Sequence, residues 1–421
     1  MRSCWIGVCV VIVGCGSVKG PDDAAVDIAP PTFTIGGTVT GFAGSGLVLR
    51  LNGGGDLTIS ANGAFSFPGS LGNGESYAVT LAAEPTCPQR VCTLASAAGT
   101  VTGANVAAVT VTCTVPRFRL ASHNWGAPNS VRITDDVLAL ATNATAMPRI
   151  VTGASTGVGS SQVDSVALDR TRNLVYAPAK LTTPDPAILV FTSASTIAGD
   201  VAPARQFVVV GGSAFEGIEL DDAADRLYVS GATGVLYVFN SASTLTGTVT
   251  PTAAITLSAP GTIGLDRKTD RLYVASNAGS LYVFDAARQL TTASTPTRTV
   301  TWTTPGDSAR GVAIDGCRNR LYLGIRNVAA GVNIYALDNA SSLTGALNLQ
   351  TASQAQLAVP DNQVMSLALD TIGDLYLWKD SATAVHIINA PHSLTGMVTV
   401  TPDKTINAVV ASGYGLDVIP Y

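Results

Sequence analysis

The chain has 421 residues and a net charge of −5, and only 13% of it is charged, about half the usual share. So thin a charge, on a sequence rich in Gly, Thr, Ser, Ala and Val, offers no basic patch and argues against a nucleic-acid partner. Few charges and many β-branched residues suit stacked sheets outside the cytoplasm.

In chain order, residues 1–14 read as an export signal. Arg2 supplies a minimal positive start, and Trp5 to Val13 is apolar but too short to span a membrane. Ile12-Val13-Gly14-Cys15 resembles the bacterial lipobox, which implies that Cys15 becomes the acylated first residue of the mature protein. Acyl methylenes contribute about 0.8 kcal/mol each, so several chains anchor firmly. The alternative is an ordinary signal peptide with Cys15 incidental. Gly16, where a membrane-retention signal would have Asp, points to the outer membrane or cell surface. Residues 15–32 form a polar tether stiffened by Pro30 and Pro31.

Residues 33–115 form a separate small β domain. FTIGGTVTG, GLVLRLN, DLTISANGAFSF and SYAVTLAAEP are strand-length runs, and Asn62-Gly63 predicts a hairpin turn. GSGLVLRLNGGGDLTISANGAFSF, Cys92-Thr93 and GTVTGANVAAVTVTC together resemble the Ig-like or transthyretin-like sandwiches of bacterial surface proteins, which act mostly as spacers. Seven cysteines are present, and Cys4, Cys9 and Cys15 belong to the signal and anchor. The remaining four can oxidise in an exported chain. Cys92–Cys113 is the expected bridge, closing about 20 residues, with Cys87–Cys92 the alternative. Cys317 is expected to be a free, part-buried thiol.

From 117 to 421 the chain repeats itself. GIELDDAADRLYVSGATGVLYVFNSASTLTG (217–247) returns in variant form at 165–199, 262–290, 311–345 and 365–396. The repeated tyrosines Tyr176, Tyr228, Tyr273, Tyr322 and Tyr376 lie 52, 45, 49 and 54 residues apart. That period, with period-two apolar patterning inside each copy, predicts a β-propeller of four-stranded blades. Segment 117–164 is a degenerate further unit. Six blades are expected, seven being the alternative, closed by strands from both ends of the array. The expected fold is therefore all-β: a small sandwich followed by a propeller.

The most tempting chemistry is the Asp that ends each inner strand: Asp169, Asp221, Asp266, Asp315 and Asp370. Asp forms turns through side-chain to backbone hydrogen bonds, and in three units an Arg five residues on could pair with it (Arg226, Arg271, Arg320). A turn role explains the recurrence better than a metal ring, so no metal and no cofactor is expected. Residues 152–159 match a dinucleotide-binding glycine pattern, with Tyr176 and Lys180 as its companions, and Gly153-Ala154-Ser155-Thr156-Gly157 matches a nucleophile elbow. Each needs a strand-to-helix turn, and a strand follows instead. The three histidines, His123, His386 and His392, have no metal-ligand spacing. The recurrent SASTLTG elements read as capped helical turns whose Leu tucks under the blade.

Binding is better sought where the copies disagree, in the loops between strands. These loops carry Phe215, Asp307, Arg310, Arg326, Asp361 and Lys379, with Trp302 and Trp378 adjoining. The signatures LD-x(5)-LYV and YVF-x(3)-S-x-LTG resemble the NHL/lactonase-like propellers of bacterial exported proteins. The resemblance implies fold more than function. The leading expectation is a monomeric lipoprotein, held to the membrane by its lipid, whose propeller binds a protein, peptide or glycan. A lactonase-like or lyase-like enzyme and a structural envelope protein are the alternatives.

Overall fold

The computed structural model describes residues 29–421 except 125–128, 146–147, 159–164, 180–184, 210–211, 213, 303–307, 327–332, 360–363, 380–383 and 408–412. The expected signal, anchor site and most of the tether lie outside the described residues.

The N-terminal unit consists of two four-stranded sheets. One joins Gly63–Gly72, Thr32–Thr40, Val106–Thr114 and Val91–Ala95, with Thr32–Thr40 and Val106–Thr114 parallel. The other joins Gly54–Ile59, Leu47–Leu51, Ser76–Ala83 and Ala98–Thr100. Ile35, Leu49, Val79 and Val111 belong to the core the two sheets share. The expected Asn62-Gly63 hairpin does not form: the strands on either side of it belong to different sheets. Asn62 instead ties the crossover down, accepting from Phe42 N (2.8 Å) and donating to Phe42 O (2.9 Å). The tight hairpin falls at Asn52-Gly53, where φ is +50° and +75°, the left-handed pair that an Asn-Gly turn tolerates.

From Phe118 onward the chain makes six sheets of four or five strands. Their inner strands are Gly413–Pro420 (blade 1), Ala167–Asp169 (2), Phe215–Asp221 (3), Pro260–Asp266 (4), Ser308–Asp315 (5) and Val364–Leu369 (6). Each inner strand touches the next, and blade 6 meets blade 1, so the sheets close into a ring. The cores say the same. Six apolar clusters each draw residues from two neighbouring sheets, and the sequence of shared sheets returns to its start. This is β-propeller architecture, with neither edge of the array left open. Blade 1 is closed by both ends of the array: Gly413–Pro420 runs antiparallel to Phe118–Asn124.

The repeated residues build this scaffold. All five tyrosines are fully buried. The SASTLTG elements are short 3-10 turns, as at Ala242–Thr244 and Ala340–Ser342, but their own Ser or Asn does not cap them. The cap comes from the hairpin between strands one and two: Asp225 Oδ1 accepts from Ser243 N (2.9 Å), and Asn319 Oδ1 from Ser341 N (2.8 Å). Asp225 and Asn319 sit at positive φ, which short polar side chains accommodate. The chain leaving such a turn pairs in parallel with the outer strand of the preceding blade, as Gly247–Val249 does with Phe207–Val209. Four of the six outer edges, those of blades 2, 4, 5 and 6, carry such a parallel strand among the described residues.

The Arg five residues after the strand-ending Asp takes a different partner from the one expected. Arg271 pairs with Asp285 (2.5 Å) and Arg320 with Asp338, both one strand further on. Arg226 donates to Asn240 Oδ1 (2.8 Å) and across to Leu290 O of blade 4 (2.7 Å). These arginines bridge strands and blades, while the strand-ending Asp, besides closing its turn, takes another arginine: Asp221 pairs with Arg288 of blade 4 (2.6 Å) and Asp315 with Arg318 of its own turn (2.8 Å).

Candidate functional site

The six inner strands converge on an axial cavity of about 460 Å³. Small residues make the convergence feasible. A Cβ on Gly264 would stand 2.8 Å from Val312 Cγ1, one on Gly311 2.7 Å from Leu367 Cγ, and one on Gly415 2.6 Å from Ser165 Cα. Above the mouth stands the N-terminal unit, whose Thr86 and Cys87 line the cavity.

Two residues before the strand-ending Asp, the repeats read Ala167, Gly264, Ala313 and Ala368 in blades 2, 4, 5 and 6. The same position holds Glu219 in blade 3 and, by register along the closing strand, Asp417 in blade 1. Two carboxylates thus replace the small wall residues, flanking blade 2. Arg267, from the turn of blade 4, reaches over to Glu219 Oε1 (2.7 Å) and donates to Leu220 O (2.6 Å). Asp417 Oδ2 accepts from Leu168 N at 2.7 Å. The Arg267 side chain is 41% exposed and that of Glu219 19%, because their surface opens into the lumen that protein encloses. Burial raises the Glu219 carboxyl, opposed by Arg267 and reinforced by Asp417, to about 8. Asp417 is raised too, again by burial first, with Arg267 opposing.

One level along the channel a second pattern appears. Ser165, Thr262 and Ser366 occupy this level in blades 2, 4 and 6, while Gly415, Gly217 and Gly311 occupy it in blades 1, 3 and 5. Ser165 Oγ donates to Ile218 O (3.3 Å), and Ser366 Oγ accepts from Leu416 N (3.2 Å). Thr262 is only 9% exposed, and its hydroxyl has no hydrogen-bond partner among the described residues.

The strand-ending carboxylates are turn formers. Asp315 accepts from Cys317 N (3.0 Å) and Arg318 N (3.1 Å); Asp266 accepts from Lys268 N (3.0 Å) and the Thr269 hydroxyl (2.6 Å). Asp370 accepts from Ile372 N, Gly373 N and Asp374 N and from the Tyr376 hydroxyl, at 2.9 to 3.1 Å. Among the described residues no three His, Cys, Asp or Glu groups are placed to hold a metal ion.

Of the loop residues singled out in the sequence, Phe215, Trp302 and Trp378 are core: they are 1%, 6% and 0% exposed and pack between adjacent blades. They offer no platform for a sugar or peptide. Arg310 is half-buried and lies 3.7 Å from Glu216. Lys379 ends the strand Leu375–Lys379, and Arg326 ends Arg320–Arg326, opposite Ser308. Asp307 and Asp361 lie outside the described residues, as does Cys15. Of the described side chains, Phe215, Trp302, Arg310, Trp378 and Lys379 do not line the axial cavity. Glu219 and Asp417, which do line it, lie on inner strands rather than loops, and their signal in the sequence is a carboxylate where the other repeats carry Ala or Gly.

Cysteine pairing carries a correction. Cys92 and Cys113 sit opposite each other on paired strands and are bonded, with Sγ atoms 2.05 Å apart. Cys317, expected to be free, is bonded to Cys87 across 230 residues, their Cα atoms 5.3 Å apart. Sequence distance hid the pair: only the docking of the N-terminal unit on the turn of blade 5 brings them together. Gln89 N donates to Thr371 O of blade 6 (3.1 Å), and Lys268 Nζ of blade 4 lies 3.1 Å from Cys87 Sγ. The bridge therefore fastens the unit over the cavity's mouth.

The dinucleotide and elbow matches also resolve. Gly153 to Thr156 is a turn closed by Thr156 N to Gly153 O (3.4 Å), and Tyr176 is a buried strand residue. Lys180 lies outside the described residues. His386 is half-buried, pairs with the Thr405 hydroxyl (3.2 Å), and is pushed down to about 4 by burial.

No protein-family profile and no curated protein matches the chain. Among solved structures it is similar to Raptor of Chaetomium thermophilum, at 12% identity and a TM-score of 0.42, over 68% of this chain and 22% of that one. It is also similar to the β-propeller domain of Cps50 (Swd1) from Myceliophteria thermophila, at 9% identity and a TM-score of 0.40, over 58% and 71% of the two chains. The chain thus spans well under two thirds of Raptor's length.

Proposed function

We propose that this protein is a binding head whose ligand site is the axial cavity of a six-bladed propeller. The observation that carries the reading is the departure from repeat at Glu219 and Asp417. A scaffold position repeats, and these two break the repeat where four other blades place Ala or Gly. They do so in a cavity of ligand size, with convergent polar groups on an otherwise apolar wall. A lyase or lactonase reading asks for a histidine beside the carboxylates, and no described lining residue is one. That supports binding over catalysis.

The rest of the architecture follows the sequence. The lipobox-like stretch supports anchoring through Cys15 to the outer membrane of a bacterium, and residues 15–32 serve as tether. The N-terminal unit is read as an Ig-like or transthyretin-like module, here working as a cover for the site as well as a spacer. Intact mass of the mature protein tests the anchor: acylation at Cys15 adds a lipid mass that a Cys15→Ala variant lacks.

The cavity is tested by native mass spectrometry of the purified protein after incubation with a mixed small-molecule extract. Wild type is expected to retain a compound that Ala368→Phe releases, because Ala368 is half-buried on the cavity wall and a phenyl ring there projects into the space a ligand would take. Retention unaffected by that substitution, or no retention, refutes the site.

A further inference from the structure

We infer that the axial cavity takes a small organic cation, its ammonium group seated between Glu219 and Asp417 and its body against the Ser165, Thr262 and Ser366 hydroxyls. The inference rests on the binding reading above and names the chemistry of that site.

Charge comes first. Five carboxylates and two cationic side chains line the cavity. At the level of the substituted wall, two carboxylates share one guanidinium, Arg267, which acts on both. Arg267 is already committed to Glu219 Oε1 and Leu220 O. A buried carboxylate lacking its full counter-charge favours a second cation, or else a proton. The upward shifts at Glu219 and Asp417 register this demand, and an ammonium ion entering between them would reverse it.

The second observation is independent of charge. Thr262 stands on the cavity wall, nine-tenths buried, and its fully buried hydroxyl has no partner among the described residues. Buried hydroxyls without partners are costly; this one is closed off by its neighbours, and a small opening of the wall around a bound ligand would give it a partner. Ser165 and Ser366, two blades away on either side, place further hydroxyl groups at the same level. A bare divalent ion fits poorly, since no set of three metal-ligating groups forms among the described residues. An ammonium group needs fewer ligands, and its carbon chain suits the Gly, Ala, Val and Leu that fill the remaining wall.

The test is isothermal titration of the mature protein with four probes of one length: 1,4-diaminobutane, n-butylamine, 1,4-butanediol and succinate. The amines are expected to bind wild type, and the diol and dicarboxylate to bind more weakly or not at all. Asp417→Asn and Glu219→Gln should each weaken diaminobutane about tenfold, the effect of losing one charged hydrogen bond. Thr262→Val, which removes a hydroxyl without changing shape, should cost about fivefold. Ala368→Phe should abolish binding. If the carboxylate variants fail to fold by circular dichroism, Thr262→Val and Ala368→Phe still decide. Amine binding unchanged in those two places the amine elsewhere and overturns the inference. Succinate or butanediol binding tighter than the amines also overturns it while leaving the cavity reading intact. So does failure of both amines when wild type still retains an extract compound that Ala368→Phe releases. Absence of that retention sinks the cavity reading itself.

Discussion

The Cys87–Cys317 bond makes a claim that its neighbour Cys92–Cys113 does not: it couples two units that the sequence presents as separate. The perturbation is a double variant, Cys87→Ser with Cys317→Ser, so that no thiol is left to mispair. The bond closes a loop of 230 residues, and Cys92–Cys113 one of 21. In the chain-entropy model these constrain the unfolded chain by about 5.5 and about 3.3 kcal/mol. Measured losses on removing native bridges run to about 2–5 kcal/mol, so the first figure is an upper bound. What separates the two is where the loops lie. The long loop runs through blades 1 to 4 and into blade 5; the short one stays within the N-terminal unit.

Trp302 and Trp378 are buried between blades, so tryptophan fluorescence in urea reports on the propeller. With an m-value of about 3 kcal/mol/M, the double variant should lower the fluorescence midpoint by about 1 M. Cys92→Ser with Cys113→Ser should leave that midpoint nearly unchanged, because its loop contains no part of the ring. Equal shifts in the two double variants, or no shift in the first, would refute the coupling. Peptide mapping of the non-reduced protein provides a direct check, with one cross-linked peptide joining the 87 and 317 regions.

Three further outcomes are expected. Gly311→Val should destabilise the propeller by about 1–3 kcal/mol, since its Cβ would meet Leu367 Cγ at 2.7 Å and backbone N at 3.0 Å, leaving only strain to absorb it; thermal unfolding with an unchanged midpoint would show that the axis is looser than described. Asn319→Ala should cost about 1–2 kcal/mol, because it removes the cap on Ser341 N and leaves Ala at φ +54°, and Asn319→Gly should recover part of that loss. Asp370 should make stability fall as pH rises. Burial pushes its carboxyl up to about 7, above the unfolded value near 4, so the folded state holds the proton more tightly. That contribution is complete below about pH 4 and is lost as pH climbs through about 7. Asp370→Asn should flatten the melting-temperature profile across this window, and an unaltered slope would assign the pH dependence to other groups.

The ring was legible in the sequence because each blade must repeat the same apolar alternation to pack on its neighbours, and a repeat of about fifty residues leaves little else. Turn chemistry was legible where one residue decides it, as with the strand-ending Asp. It was misread where two candidates compete. Asn52-Gly53 and Asn62-Gly63 look alike, yet only the first joins two strands of one sheet. Partner choice was less legible still. Arg271 and Arg320 bond carboxylates one strand on because antiparallel pairing sets those strands side by side, and linear spacing from the preceding Asp does not reveal it.

The site itself was hidden by a sound rule applied to the wrong positions. Variation between copies marks function, but loop variation is abundant and mostly solvated, and the aromatic residues it points to are packed between blades. Variation at an inner-strand position is rare, since a side chain there must fit a crowded axis where a single Cβ can collide with the next blade. A carboxylate at such a position costs burial energy that Ala or Gly would not. Glu219 and Asp417 both bear that cost, and one arginine acting on both meets only part of it. Both carboxylates tie neighbouring blades, Glu219 to Arg267 and Asp417 to Leu168 N, but those ties leave the pair short of counter-charge, which a cation seated between them would supply.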